Sequence, residues 1–146
     1  MSIQIRQYQE SDRPFLRTLY LASRRAAFSW LDEERFHLED FDSAILDETI
    51  LVAIDGDNHL GFASLFIAEN FLHNLFVAPH IQQRGVGKAL LLAAQNLFTG
   101  QGSLKCLTKN QQARVFYQKH GWVEIATGKS HDGDYILMHW HNEKVK

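Results

Sequence analysis

Gln82, Gly85 and Gly87, with Arg84 and Lys88 beside them, are the residues of this chain best placed by type and spacing to do chemistry. They lie between an apolar run, Leu75-Phe-Val-Ala78, and a second one, Ala89-Leu-Leu-Leu-Ala-Ala94, so a strand here turns into a helix. Such a junction leaves backbone N–H groups unpaired at the positive end of a helix dipole, where phosphates bind with few side chains. Gly85 and Gly87 lack Cβ, so a pyrophosphate can approach the turn closely, and Arg84 and Lys88 add positive charge. Two common phosphate patterns fail on spacing. A P-loop needs glycine where Gln82 stands and Ser or Thr where Ala89 stands. A dinucleotide fingerprint needs a third glycine at the position of Leu90. Elsewhere, Cys106 lies on an expected strand with no motif around it and reads as packing. His139 and His141 share one face of the last strand, but no third metal ligand is nearby, so they read as a solvated strand end.

The elements that must position the glycine turn follow from periodicity. Residues 3–8 alternate as a strand, and Ser11-Asp-Arg-Pro14 reads as a helix start, with a capping side chain and proline in the first turn. Phe15, Leu16, Leu19 and Tyr20 recur at helical spacing and carry that helix to about Trp30. A second, more polar helix is expected over 34–46. Thr49 to Ile54 is a β-rich run closed by the hairpin turn Asp55-Gly-Asp-Asn58, with 59–68 as its partner and 70–78 as the next strand. A helix over 86–98 packs Leu90, Leu91, Ala94 and Leu97. A strand over 103–108, a helix over 110–119 and strands near 122–127 and 134–141 complete the chain. The order β-α-α-β-β-β-α-β-α-β-β implies an α/β sandwich, a mixed β-sheet flanked by helices.

Composition bounds the class. The 146 residues suit one domain, 1–146, with a proper core, and the 45% hydrophobic and 22% charged content is that of a soluble globule. A net charge of −2 argues against a general nucleic-acid binder. No apolar run reaches the length of a membrane span, the first residues lack a signal-peptide core, and one cysteine suits a reducing cytoplasm.

Gln82-x-x-Gly85-x-Gly87 resembles motif A of the GNAT superfamily of acyl-CoA N-acyltransferases, the loop that holds the coenzyme A pyrophosphate. Asn110-Gln-Gln-Ala113-Arg-Val-Phe116-Tyr117-Gln-Lys-His-Gly121-Trp122 resembles its motif B. Ala113, Phe116 and Tyr117 share a helix face, Asn110 can cap that helix, and Gly121 can end it in a left-handed conformation. The element order is also that of the GNAT fold, so the resemblance covers essentially the whole chain.

The resemblance implies direct transfer of an acetyl group from acetyl-CoA to a primary amine in a ternary complex, with acetyl-CoA as co-substrate and no metal. Gln82, Gln83, Arg84, Gly85, Val86, Gly87 and Lys88 would bind the pyrophosphate. Leu75, Phe76 and Val77 would pair with the pantetheine arm, a backbone N–H near Leu75 or Phe76 would polarise the acetyl carbonyl, and Asn110 and Phe116 would flank the cofactor. Tyr117 stands where many relatives keep the tyrosine that protonates the sulfur. For the base, His73 is the first choice, since imidazole titrates near neutrality. Glu69 is the second, four residues earlier and on the same strand face if no bulge intervenes. Eight acidic residues against one Arg over 32–48 would border the acceptor groove and favour a cationic amine, or they are the wet face of a helix. Phe28, Trp30, Phe36 and Phe41 could wall that groove, with ordinary core preferred. The acceptor, a small molecule or a protein, and the state, monomer or homodimer, stay open. A non-catalytic acyl-CoA sensor is the rival reading.

Overall fold

Three runs of β-branched, aromatic and small apolar residues between Thr49 and Val77 form the antiparallel centre of the molecule. The structure, a computed structural model, describes residues 2–82 and 84–141. β1 (Gln4–Gln7), β2 (Thr49–Asp55), β3 (Asn58–Phe66), β4 (Phe71–Val77), β5 (Gly102–Leu107), β6 (Val123–Ser130) and β7 (Gly133–Trp140) make one sheet in the order β1-β2-β3-β4-β5-β7-β6. All neighbours are antiparallel except β4 and β5. The expected mixed sheet and element order are therefore observed.

α1 (Arg13–Ala27) and α2 (Asp40–Ala44) cover one face of the sheet. Tyr20 meets Phe41, Phe62 and Phe76 edge-on at centroid distances of 6.1, 5.7 and 5.2 Å. α3 (Val86–Leu97) covers the other face with Leu90, Leu91 and Ala94, all fully buried. α4 (Gln111–Lys119) leads into Trp122, whose indole N–H donates to Gln95 Oε1 at 3.0 Å and whose ring stacks on Trp140. Gly121 ends α4 at φ +91, the left-handed conformation expected for it.

Two helices differ from the periodicity. The first stops at Ala27 rather than near Trp30, because Phe28 leaves helical backbone and sets its ring edge-on to Phe76. The segment expected to be helical over 34–46 is a single 3₁₀ turn, Glu33–Arg35, an extended stretch and the short α2. Tertiary contacts interrupt it: Phe36 is buried under the Arg24 guanidinium, 4.7 Å from its ring centroid, while Asp40 accepts from the His37 N–H and from Arg24.

β1 is tied to α1 through Asp12. Its carboxylate, almost wholly buried, accepts from Arg6 through both oxygens at 2.7 and 2.8 Å, from the Gln9 N–H and from His59 Nε2.

Candidate active site

β4 and β5 pair only at Phe71–Ser103 and Leu72–Leu104. Above that point they share no ladder, so β4 residues 73–76 keep one backbone edge unpaired toward β5, while the Val77 carbonyl accepts from Ser23 Oγ and the Gln82 amide. The fork opens next to a bulge: Ser64 faces Asn74 and Leu65 faces Leu72, which leaves His73 as the inserted residue of β4. An added residue twists a strand away from its neighbour, and that is the local reason for the opening.

The glycine turn closes the wide end. Gly85 is the N-cap of α3 at φ +85, a backbone that favours glycine, and no side chain caps the helix. The N–H groups of its first turn are thus free for an anion. The exposed Gln82 side chain closes the loop, its amide donating to Val77 O at 3.0 Å. Arg84 and Lys88 are exposed, and Val86 is buried as an anchor. Gln83 lies outside the described residues. At Gly87 an added Cβ would stand 3.4 Å from Phe116 and 3.7 Å from Val77, so the start of α3, the end of β4 and the aromatic face of α4 converge there.

Beneath the fork, Tyr117 is buried, and burial raises its phenol above the ordinary tyrosine range. No hydrogen bond occupies its hydroxyl among the described residues, so it is a neutral, unspent donor. Cys106 is also buried, and burial pushes its thiol up to about 11, which fits packing and not nucleophilic use. Asn110 caps α4, its Oδ1 accepting from the Ala113 N–H at 3.3 Å. Phe116 packs edge-on against Tyr117 and His120. Phe76 points into the α1-side aromatic cluster, so it offers the fork its backbone alone, while Leu75 and Val77 are half-buried.

The two candidate bases separate. Exposed His73 sits at the fork and its Nδ1 lies 2.7 Å from Glu48 Oε2. Glu69 is not on β4: it closes the 3₁₀ turn Ile67–Glu69, left-handed Asn70 stands between it and the strand, and His73 is itself the bulged residue. The same-face expectation for Glu69 fails because the strand begins only at Phe71.

A cleft of about 190 Å³ lies at the C-terminal end of β5, lined by Trp30, Thr108, Lys109, Asp132 and Asp134. Arg35 pairs with Asp132 across its rim, and the Lys109 ammonium lies 6.0 Å over the Trp30 ring. Trp30 therefore faces a cleft, whereas Phe36 and Phe41 are core. The Thr108 hydroxyl, buried there with no partner among the described residues, carried no sequence signal. Within the acidic run, Asp40 and Asp42 are tied to Arg24, Arg13 and Arg17. Among the described residues no group of three His, Cys, Asp or Glu side chains is placed to hold a metal, and no helix is long and apolar enough to cross a membrane.

Known proteins share this architecture. The family model for the acetyltransferase (GNAT) domain matches residues 46–124, from just after α2 to the first residues of β6. The uncharacterized N-acetyltransferase YhfO of Bacillus subtilis is 33% identical over 91 residues, which span 53% of this chain and 60% of that protein. YjaB from Escherichia coli, an apo form in solution, superposes with a TM-score of 0.81 at 24% identity over 96% of this chain and 98% of its own. The PaiA N-acetyltransferase of Thermoplasma acidophilum, in complex with coenzyme A, does so at 0.79 and 22% identity over 97% and 100%.

Proposed function

Since the chain belongs to the GNAT acetyltransferase family, by a match over more than half its length, we propose that it moves an acetyl group from acetyl-CoA to a primary amine by direct attack. The observation that carries this reading is the fork: uncapped N–H groups of α3 at its mouth, an unpaired edge of β4 along it and a neutral tyrosine beneath it. The first turn of α3, with Arg84 and Lys88, is suited to a pyrophosphate, and the free edge of β4 to an extended pantetheine arm. PaiA, of the same fold, is known in complex with coenzyme A.

Acetyl-CoA would supply the activated acyl group as a thioester. His73 Nε2 takes one proton from the incoming ammonium, and the freed lone pair forms the C–N bond. A backbone N–H of β4 near Leu75 or Phe76 stabilises the oxyanion, a contribution of about 10²–10³ in rate. As the C–S bond breaks, Tyr117 gives its proton to the sulfur and is restored by the second proton leaving the nitrogen. His73, exposed at the fork, returns its proton to water. At the Trp30 cleft Asp132 is held by Arg35 and the Trp30 ring by Lys109, so Asp134 is the carboxylate offered to a cationic acceptor.

Calorimetric titration of acetyl-CoA into wild type and Gly87→Glu, followed by thiol release with a panel of amines, tests this. Micromolar binding lost in Gly87→Glu, and turnover lowered about 10²–10⁴-fold in Tyr117→Phe, are expected. Binding with no turnover on any amine would move the protein to the sensor reading, and no binding would sink both.

A further inference from the structure

Glu48 has no part in the chemistry above, yet it is a carboxylate with only 11% of its side chain exposed, held against the proposed base. Its Oε2 lies 2.7 Å from His73 Nδ1, and its Oε1 is buried with no partner among the described residues. An unsatisfied buried oxygen costs free energy and calls for a reason. Asp47 (φ 62) and Asn70 (φ 51) are the non-glycine residues at positive φ among the described residues. One directly precedes Glu48 and the other leads into the strand that carries His73. Such positions persist where the surroundings over-determine the chain, often at functional sites.

A neutral imidazole has one donor and one acceptor nitrogen, and an ionised carboxylate can only accept. The 2.7 Å contact therefore makes Nδ1 the donor and leaves the lone pair on Nε2. We propose that Glu48 is the positioning residue of the base: it holds His73 in the Nδ1–H tautomer and stabilises the imidazolium formed when Nε2 takes the amine proton. This rests on the reading of the protein as an amine acetyltransferase with His73 as base. One proton moves from the ammonium nitrogen to Nε2, the Nδ1 proton stays on the ring, and Glu48 stays ionised throughout. A carboxylate acts in this way by orientation and field, not by taking the proton.

Glu48→Gln keeps the size of the side chain and removes its charge. ¹⁵N–¹H correlation spectra of the His73 ring read the tautomer with no substrate present. Wild type is expected to show protonated Nδ1 and bare Nε2 in its neutral form, and Glu48→Gln a shift toward Nε2–H. With acetyl-CoA and the amine that wild type acetylates fastest, Glu48→Gln is expected to lower kcat about 10–100-fold while acetyl-CoA affinity holds to within about twofold. In a His73→Ala background the same change should cost nothing more. If Glu48→Gln does not fold, Glu48→Asp, which keeps the charge and shortens the reach, takes the same measurements. A wild-type spectrum with Nε2 protonated, or an undiminished loss in the His73→Ala background, overturns the proposal. Absence of turnover on every amine would instead overturn the transferase reading, and the tautomer spectrum would still decide the role of Glu48.

Discussion

Burial sets what the two ionisable groups beneath the fork can do. Tyr117 is pushed upward by desolvation, which penalises the phenolate and keeps the phenol protonated, as its proposed role as acid requires. Its hydroxyl holds no structural hydrogen bond among the described residues, so Tyr117→Phe is expected to lose turnover while its thermal midpoint stays at the wild-type value, a pairing that calorimetric scanning and thiol release check together. Cys106, with its thiol pushed up to about 11 by burial, is almost entirely un-ionised at neutral pH. Alkylation by iodoacetamide at pH 7.5 should therefore be far slower in the folded protein than after denaturation, and Cys106→Ala should retain turnover. Rapid labelling of folded protein with loss of activity would refute the packing role.

Among the elements, β1 and α1 depend on one carboxylate. Arg6 first, then the Gln9 N–H and His59, hold Asp12 well below the usual carboxylate range in spite of its desolvation. A depressed folded-state pKa stabilises the fold above the unfolded value, near 3.9, and that stability is lost as pH falls through the folded value. Urea midpoints are thus expected to drop steeply below about pH 4 in wild type, with a flatter slope in Asp12→Asn, which should also be about 2–3 kcal/mol less stable at neutral pH. The join of α3 and α4 offers a second test. His120, edge-on to Phe116, is held below its ordinary value by partial burial first and then by Lys88 and Lys119. Phosphates arriving at Lys88 would offset that positive field, so His120 is expected to titrate at higher pH with coenzyme A bound, measurable by NMR titration of the ring protons.

At the scale of the whole molecule, the cleft proposed for the acceptor is assembled from segments far apart in the chain. Arg35, on the connection between α1 and α2, pairs with Asp132, in the β6–β7 hairpin, across the Trp30 cleft. Both side chains are partly exposed, so the pair contributes little to stability and more to the charge and shape of the rim. Asp132→Asn is accordingly expected to raise KM for a cationic amine several-fold, with acetyl-CoA affinity and the unfolding midpoint unchanged. Steady-state kinetics at low and high salt would check it, since the wild-type advantage should shrink as salt screens the rim.

Local sequence determined the glycine turn, the helix cap at Asn110 and the left-handed Gly121, because each depends on residues a few positions apart and on backbone conformations that few side chains accept. Alternation determined the strands, since a residue's face is set by its neighbours two places away. The depth of the fork, the bulge at His73, the departure of Glu69 from β4 and the interrupted helix over 34–46 were decided by tertiary structure. In each case a distant partner outweighed local propensity: β3 opposite the bulge, Arg24 over Phe36 and Phe76 against Phe28. Glu48 shows the limit most clearly. It stood in the sequence as one of eight acids on a presumed helix face. Only a sheet that sets the start of β2 one strand away from β4, with β3 between them, puts it against His73, 25 residues on.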